Sequence, residues 1–246
     1  MTKAYTNAEF MLGEDARPLR LLSEYIEPRA RLERLNVHRA LLFWGSARLK
    51  PNEPDAVDDR IDFYAEAREL AARMTQWTMD AHAADEHYYI CTGGGPGIME
   101  AANRGAADVN RDLSMGYNIE LPHEQGSNPY ISDALNFEFH YFFMRKFWFM
   151  NVAEGLIIFP GGFGTMDELF EMLTLMQTGK QPRIPVVLYG KEFWSRLLNF
   201  DVFVELGLIS TEDAELFYIA ESVDDAYQFL TDALVEDTAT AQSRHG

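Results

Sequence analysis

Two hydrophobic rhythms alternate along this chain. Short unbroken apolar runs, among them Leu41-Leu42-Phe43-Trp44 and Leu156-Ile157-Ile158-Phe159, have the length of buried strands. Between them, apolar residues recur every three or four positions. The clearest case is Ile61, Tyr64, Ala67, Leu70, Ala71, Met74 and Trp77, which share one face of a helix. Read in order, the pattern predicts strands over 39–44, 88–91, 115–121, 156–159, 184–189 and 217–220. It predicts helices over 61–77, 98–109, 166–176, 193–206 and 223–234. Strands that are apolar throughout, rather than on alternate residues, are covered on both faces. With helices between them they predict an α/β fold, a doubly wound parallel sheet flanked by helices on both faces. Residues 1–36, with Leu19, Leu21, Leu22, Tyr25 and Ile26 at helical spacing and a second stretch around Leu32 and Leu35, form an N-terminal helical extension. Residues 37–235 make a single domain, and 236–246 a flexible polar tail.

Charge narrows the function. The formal net charge is −18 and the sequence pI about 4.6. Such a surface repels nucleic acid and anionic membranes, so a phosphate ligand has to be held locally by backbone N–H groups and a few cations. The single cysteine, Cys91, forms neither an internal disulfide nor a multi-thiolate metal site. No apolar run approaches the roughly 20 residues of a membrane helix, and the N-terminus has no apolar signal core. A cytoplasmic protein is expected. The histidines (His38, His82, His87, His123, His140, His245) are scattered without metal-ligand spacing, so no metal is expected.

Three predicted strands end in Gly or Ser: Gly45-Ser46, Gly93 to Gly97, and Pro160-Gly161-Gly162-Phe163-Gly164-Thr165. Ligands on parallel sheets sit at the carboxyl ends of strands. Glycines let the backbone approach a ligand, and the first turn of the helix beyond offers free N–H groups and a favourable dipole to an anion. Tight strand-to-helix turns also need glycine for themselves, so the two loops argue for a phosphate cradle chiefly as a pair. Neither is a P-loop or a dinucleotide fingerprint. Asp167 is expected as a cap in the first turn of its helix, whereas Glu168, one turn beyond Thr165, can share the site. Arg145-Lys146 lies in the aromatic stretch Phe137 to Phe149. The arginine fork suits phosphate. The same stretch also suits packing on a partner subunit, and both can hold. It has too many large apolar residues for a solvated surface, so a homodimer is expected.

These residues resemble the LOG ("Lonely Guy") family: Gly93-Gly94-Gly95-Pro96-Gly97-Ile98-Met99-Glu100, the Arg145-Lys146 pair, and Pro160 to Glu168 in a PGGxGTxxE pattern. The likeness runs from about Leu41 to Tyr189. Members have carried the label "lysine decarboxylase-like", yet no Ser-x-His-Lys pyridoxal-phosphate signature occurs here. The resemblance implies a Rossmann-like nucleotide-binding domain and a phosphoribohydrolase that splits a nucleoside 5′-monophosphate into free base and ribose 5-phosphate. The implied substrate is AMP or an N6-substituted adenosine monophosphate such as a cytokinin riboside monophosphate, without cofactor. By the same resemblance Arg145 and Glu168 are the catalytic pair, and Gly161, Gly162, Gly164 and Thr165 hold phosphate with Lys146. Ser46, Gly94, Gly95 and Met99 line the nucleotide pocket. The first glycine loop is one residue shorter than in plant-like members, and the N-terminus and the segment from Pro122 to Tyr141 are longer. The alternative from another class is a nucleotide or molybdenum-cofactor carrier without turnover.

Overall fold

A computed structural model of the chain describes residues 2–51, 61–119 and 126–244, with side chains as far as 235. Residues 52–60 of the polar loop and 120–125, where the third strand was expected to end, lie outside the described residues. Two N-terminal helices, α1 (Ala8–Leu12) and α2 (Arg17–Leu35), precede strand β1 (Arg39–Trp44). Then follow α3 (Phe63–Ala81), β2 (Tyr88–Thr92), α4 (Ile98–Asn110), β3 (Ser114–Ile119), β4 (Asn136–Phe139) and α5 (Phe142–Val152). The second half runs β5 (Ala153–Ile158), α6 (Phe163–Gln177), β6 (Val186–Tyr189), α7 (Lys191–Leu197), α8 (Phe200–Glu205), β7 (Tyr218–Ala220) and α9 (Val223–Arg244).

Among the described residues seven strands pair in parallel, in the order β4-β3-β2-β1-β5-β6-β7. The chain starts in the middle, works outward to β4, then returns to the other side of β1. The strand order therefore reverses between β1 and β5, and a crevice opens outside their carboxyl ends. The sheet is covered on both faces, as the continuous apolar runs predict. Along β1, Ala40, Leu42 and Trp44 join a core with Trp148 and Phe149 of α5 and Leu169 and Met172 of α6. Leu41 and Phe43 point the other way, into a core with α3, α4 and α9.

The elements differ from the pattern-based expectation in four places. Strand β4 lies at the start of the aromatic stretch Phe137 to Phe149, to which the pattern assigned no strand. Its Phe137 and Phe139 are buried while Glu138 between them is exposed, the alternation of an edge strand with one solvated side. Helix α6 starts three residues earlier, directly after Gly162. The helix expected over 193–206 is two, α7 and α8, and α9 continues to Arg244 through a polar but Ala- and Gln-containing stretch with good helix propensity.

Most of the extension is the single long helix α2, despite Pro28 in its interior. Proline has no N–H to give to the carbonyl four residues back. That carbonyl, on Glu24, instead accepts the Trp148 indole N–H of α5 at 2.9 Å. The Glu24 carboxylate takes the backbone N–H groups of His140 (2.8 Å) and Tyr141 (3.3 Å), at the positive end of α5. Among the described residues no helix is long and apolar enough to cross a membrane. Glu24→Ala should cost about 1–2 kcal/mol in urea unfolding, the usual loss for removing a helix-terminal acceptor; an unchanged midpoint would refute the role given to this carboxylate.

Candidate active site

Ser46, Met99, Arg145 and Glu168, together with Gly161, Gly162, Gly164 and Thr165, line one cavity of about 780 Å³ at the carboxyl ends of β1, β2 and β5. Backbone bonds knit its loops together. The Ser46 N–H donates to the Pro160 carbonyl (2.9 Å), and the Ser46 carbonyl accepts from the Ile98 N–H (3.1 Å). The first turn of α6 has no side-chain cap, and its leading N–H groups have no acceptor within the helix.

The glycines of this turn serve different ends. A Cβ on Gly161 would lie 2.2 Å from Thr165 Oγ1, so the turn itself demands glycine there. A Cβ on Gly162 or Gly164 would meet nothing within 4 Å, and neither has a positive φ. The fold does not require glycine at those two positions; what they leave is open space over the helix N-terminus, where an anion fits.

Arg145 comes from α5 and Glu168 from α6. Their charged groups meet at 3.3 Å, with side chains only 12% and 13% exposed. The guanidinium also lies over the rings of Phe142 (5.1 Å) and Phe149 (5.6 Å). Burial pushes the Glu168 carboxyl up to about 7, against the pull of Arg145. Because the folded value stands above the ordinary 4.5, the proton is held more tightly by the folded chain. The resulting stability is full below pH 4.5 and is lost as pH rises through about 7. Such a cost at a cavity wall marks a group kept for chemistry rather than for stability.

Lys146 is not brought to this cavity. Its neighbour Arg145 faces inward, while Lys146 bonds Asp167 (2.9 Å) and Glu171 (2.7 Å) on the other side of α6. Asp167 is thus a salt-bridge partner and no cap, since the early start of α6 leaves it in the second turn. Gly94 also stays out of the cavity. It has φ +75°, its N–H donates to Thr92 Oγ1 (2.9 Å), and its carbonyl accepts from the Asn128 N–H (2.8 Å), so it shapes the loop from within. Gly95 lines a smaller neighbouring pocket of about 250 Å³ with Asn118, Ser127 and Asn136. Cys91 is buried, which pushes its thiol up and leaves it unreactive.

The cavity also takes in Gly93, part of the first glycine loop but given no site role from the sequence, and Arg48, Phe142 and Trp44, which the sequence did not mark as site residues. The Trp44 indole nitrogen is buried and finds no acceptor among the described residues. Position alone could have flagged Arg48, two residues beyond Ser46 at a strand end on the ligand-bearing edge. No group of three or more His, Cys, Asp or Glu that could hold a metal occurs among the described residues.

Comparisons with known proteins bear on the family and the fold. The family model described as "Possible lysine decarboxylase" matches residues 99–230. A pyrimidine/purine nucleotide 5′-monophosphate nucleosidase of Escherichia coli (strain K12) is 33% identical over 114 residues, 41% of this chain and 24% of that protein. The chain thus spans about a quarter of that relative's length. A probable cytokinin riboside 5′-monophosphate phosphoribohydrolase of Oryza sativa subsp. japonica is 25% identical over 177 residues, 71% of this chain and 72% of the relative. Among solved structures, a molybdenum cofactor binding protein from Rippkaea orientalis covers 79% of this chain and 97% of its own, with TM-score 0.51 and 15% identity, a likeness of fold alone. The matched span covers more than half of the chain and carries both Arg145 and the Pro160 to Glu168 motif, so the chain belongs to the "Possible lysine decarboxylase" family, that of the LOG proteins.

Proposed function

We propose that this protein is a nucleoside 5′-monophosphate phosphoribohydrolase, an N-glycosidase-type hydrolase that releases a free base and ribose 5-phosphate. One observation carries the reading: a nearly dry Arg145–Glu168 pair shares its cavity with an uncapped, glycine-lined helix N-terminus. The names of the bacterial and plant relatives support the same reaction class. The substrate we assign is AMP or an N6-substituted adenosine monophosphate, whose base has an apolar wall available in Met99, Ile119 and Phe142.

The 5′-phosphate binds the first N–H groups of α6, with Gly161, Gly162, Gly164 and Thr165 around it. Its binding fixes the ribose and supplies energy that is realised at the reacting carbon. Cleavage of the glycosidic bond builds positive charge on the sugar. Glu168 is assigned to stabilise that charge and to accept a proton from the attacking water as the base departs. Arg145 orients Glu168 and keeps part of its population ionised. We further propose a cytoplasmic homodimer joined through α5 and α6, where Phe143 and Phe147 are half exposed and Phe163 is 96% exposed.

The purified protein should liberate base from AMP or a substituted AMP in a panel that includes GMP, CMP and isopentenyladenosine monophosphate. Glu168→Gln should lower the rate by about 10²-fold or more, the scale of a lost general base. Undiminished turnover in that variant would remove Glu168 from the chemistry. Since the ionised carboxylate is the working form, kcat/KM should climb with pH along a limb centred near 7. A flat profile from pH 5 to 8 contradicts the assignment. Phe143→Glu should convert the dimer to monomers in sedimentation velocity, and a wild-type chain that sediments as a monomer disproves the interface.

A further inference from the structure

Two arginines line the cavity, Arg48 and Arg145, with Glu168 as the one acidic residue in its lining. Arg145 is engaged with Glu168 at 3.3 Å, so much of its charge is offset where it stands. Arg48 forms no ion pair with a carboxylate among the described residues, in a chain with 39 acidic and 21 basic residues. Its backbone is nonetheless fixed. The Arg48 N–H donates to Ser46 Oγ at 3.1 Å, and Ser46 is tied to the Pro160 carbonyl at 2.9 Å, at the turn that opens α6. The exposed Arg48 is thus anchored through its backbone to the loop that meets the turn opening α6, and its side chain is paired with no carboxylate among the described residues.

The charge balance needs a cation. A helix N-terminus presents roughly half a positive charge, whereas a phosphate monoester carries about −1.5 to −2 near neutrality. The amides of α6 leave most of that charge unmet, and Arg145 is occupied. We propose that Arg48 is the side chain that recognises the 5′-phosphate and sets the preference for a monophosphate over the bare nucleoside. The inference rests on the phosphoribohydrolase reading and deepens it: substrate selection belongs to the end of β1, bond cleavage to α5 and α6.

The test uses full-length wild type, Arg48→Gln and Arg48→Lys, each checked for native circular dichroism. Turnover of AMP and adenosine is compared, and binding of ribose 5-phosphate is measured by calorimetry. Arg48→Gln should raise KM for AMP and weaken ribose 5-phosphate binding by about 10- to 100-fold, the scale of a charge-assisted hydrogen bond. The AMP-to-adenosine preference should fall with it, and Arg48→Lys should recover part of the loss. Equal losses on AMP and adenosine, or ribose 5-phosphate binding unchanged in Arg48→Gln, overturn the assignment. A wild type that binds ribose 5-phosphate without cleaving any monophosphate refutes the hydrolase reading while the binding comparison still decides Arg48. A wild type that binds no ribose 5-phosphate rejects the role of Arg48.

Discussion

A carboxylate and a guanidinium brought together out of water cost more in desolvation than their attraction returns unless the surroundings hold them in place. The Arg145–Glu168 pair imposes that requirement on the whole second half of the fold. Each partner stands on a different helix, so the α5–α6 separation has to be kept within hydrogen-bonding tolerance. Lys146 meets it from outside. As the residue next to Arg145 it reaches around α6 to Asp167 and Glu171, and so clamps the same two helices on their solvated side. The sheet meets it from within, because Trp148 and Phe149 of α5 and Leu169 and Met172 of α6 enter one core.

The topology then decides what the pair faces. Reversal of strand order between β1 and β5 opens the crevice, and the loops leaving β1, β2 and β5 converge on it. An acidic protein does not need a basic surface for this. Screening over about 8 Å at physiological salt confines the relevant field to groups that line the cavity itself. There, backbone amides and two arginines outnumber one carboxylate.

Much of this was legible in the sequence, for physical reasons. Apolar runs mark buried parallel strands because both faces are covered, and Glu168 could be assigned from its one-turn spacing to Thr165. Where the pattern failed, the missing information was three-dimensional. Adjacent residues on a helix point about 100° apart, so Arg145 and Lys146 had to part company, but spacing cannot say which faces inward. Phe137-Glu138-Phe139 is too short for its alternation to outweigh the aromatic run that follows, and β4 was hidden in it. Gly94 and Gly93 are indistinguishable as letters. Only φ and hydrogen bonding show that one shapes the loop while the other borders the cavity.

Pro28 shows how a missing atom can organise a contact. A proline within a helix is usually counted as a weakness, yet here the Glu24 carbonyl that Pro28 leaves without a helical donor is satisfied by a neighbouring helix. The segment before the sheet is thereby fastened to the helix that carries Arg145. Its attachment is written in a residue that withholds a donor, a code that hydropathy profiles do not register.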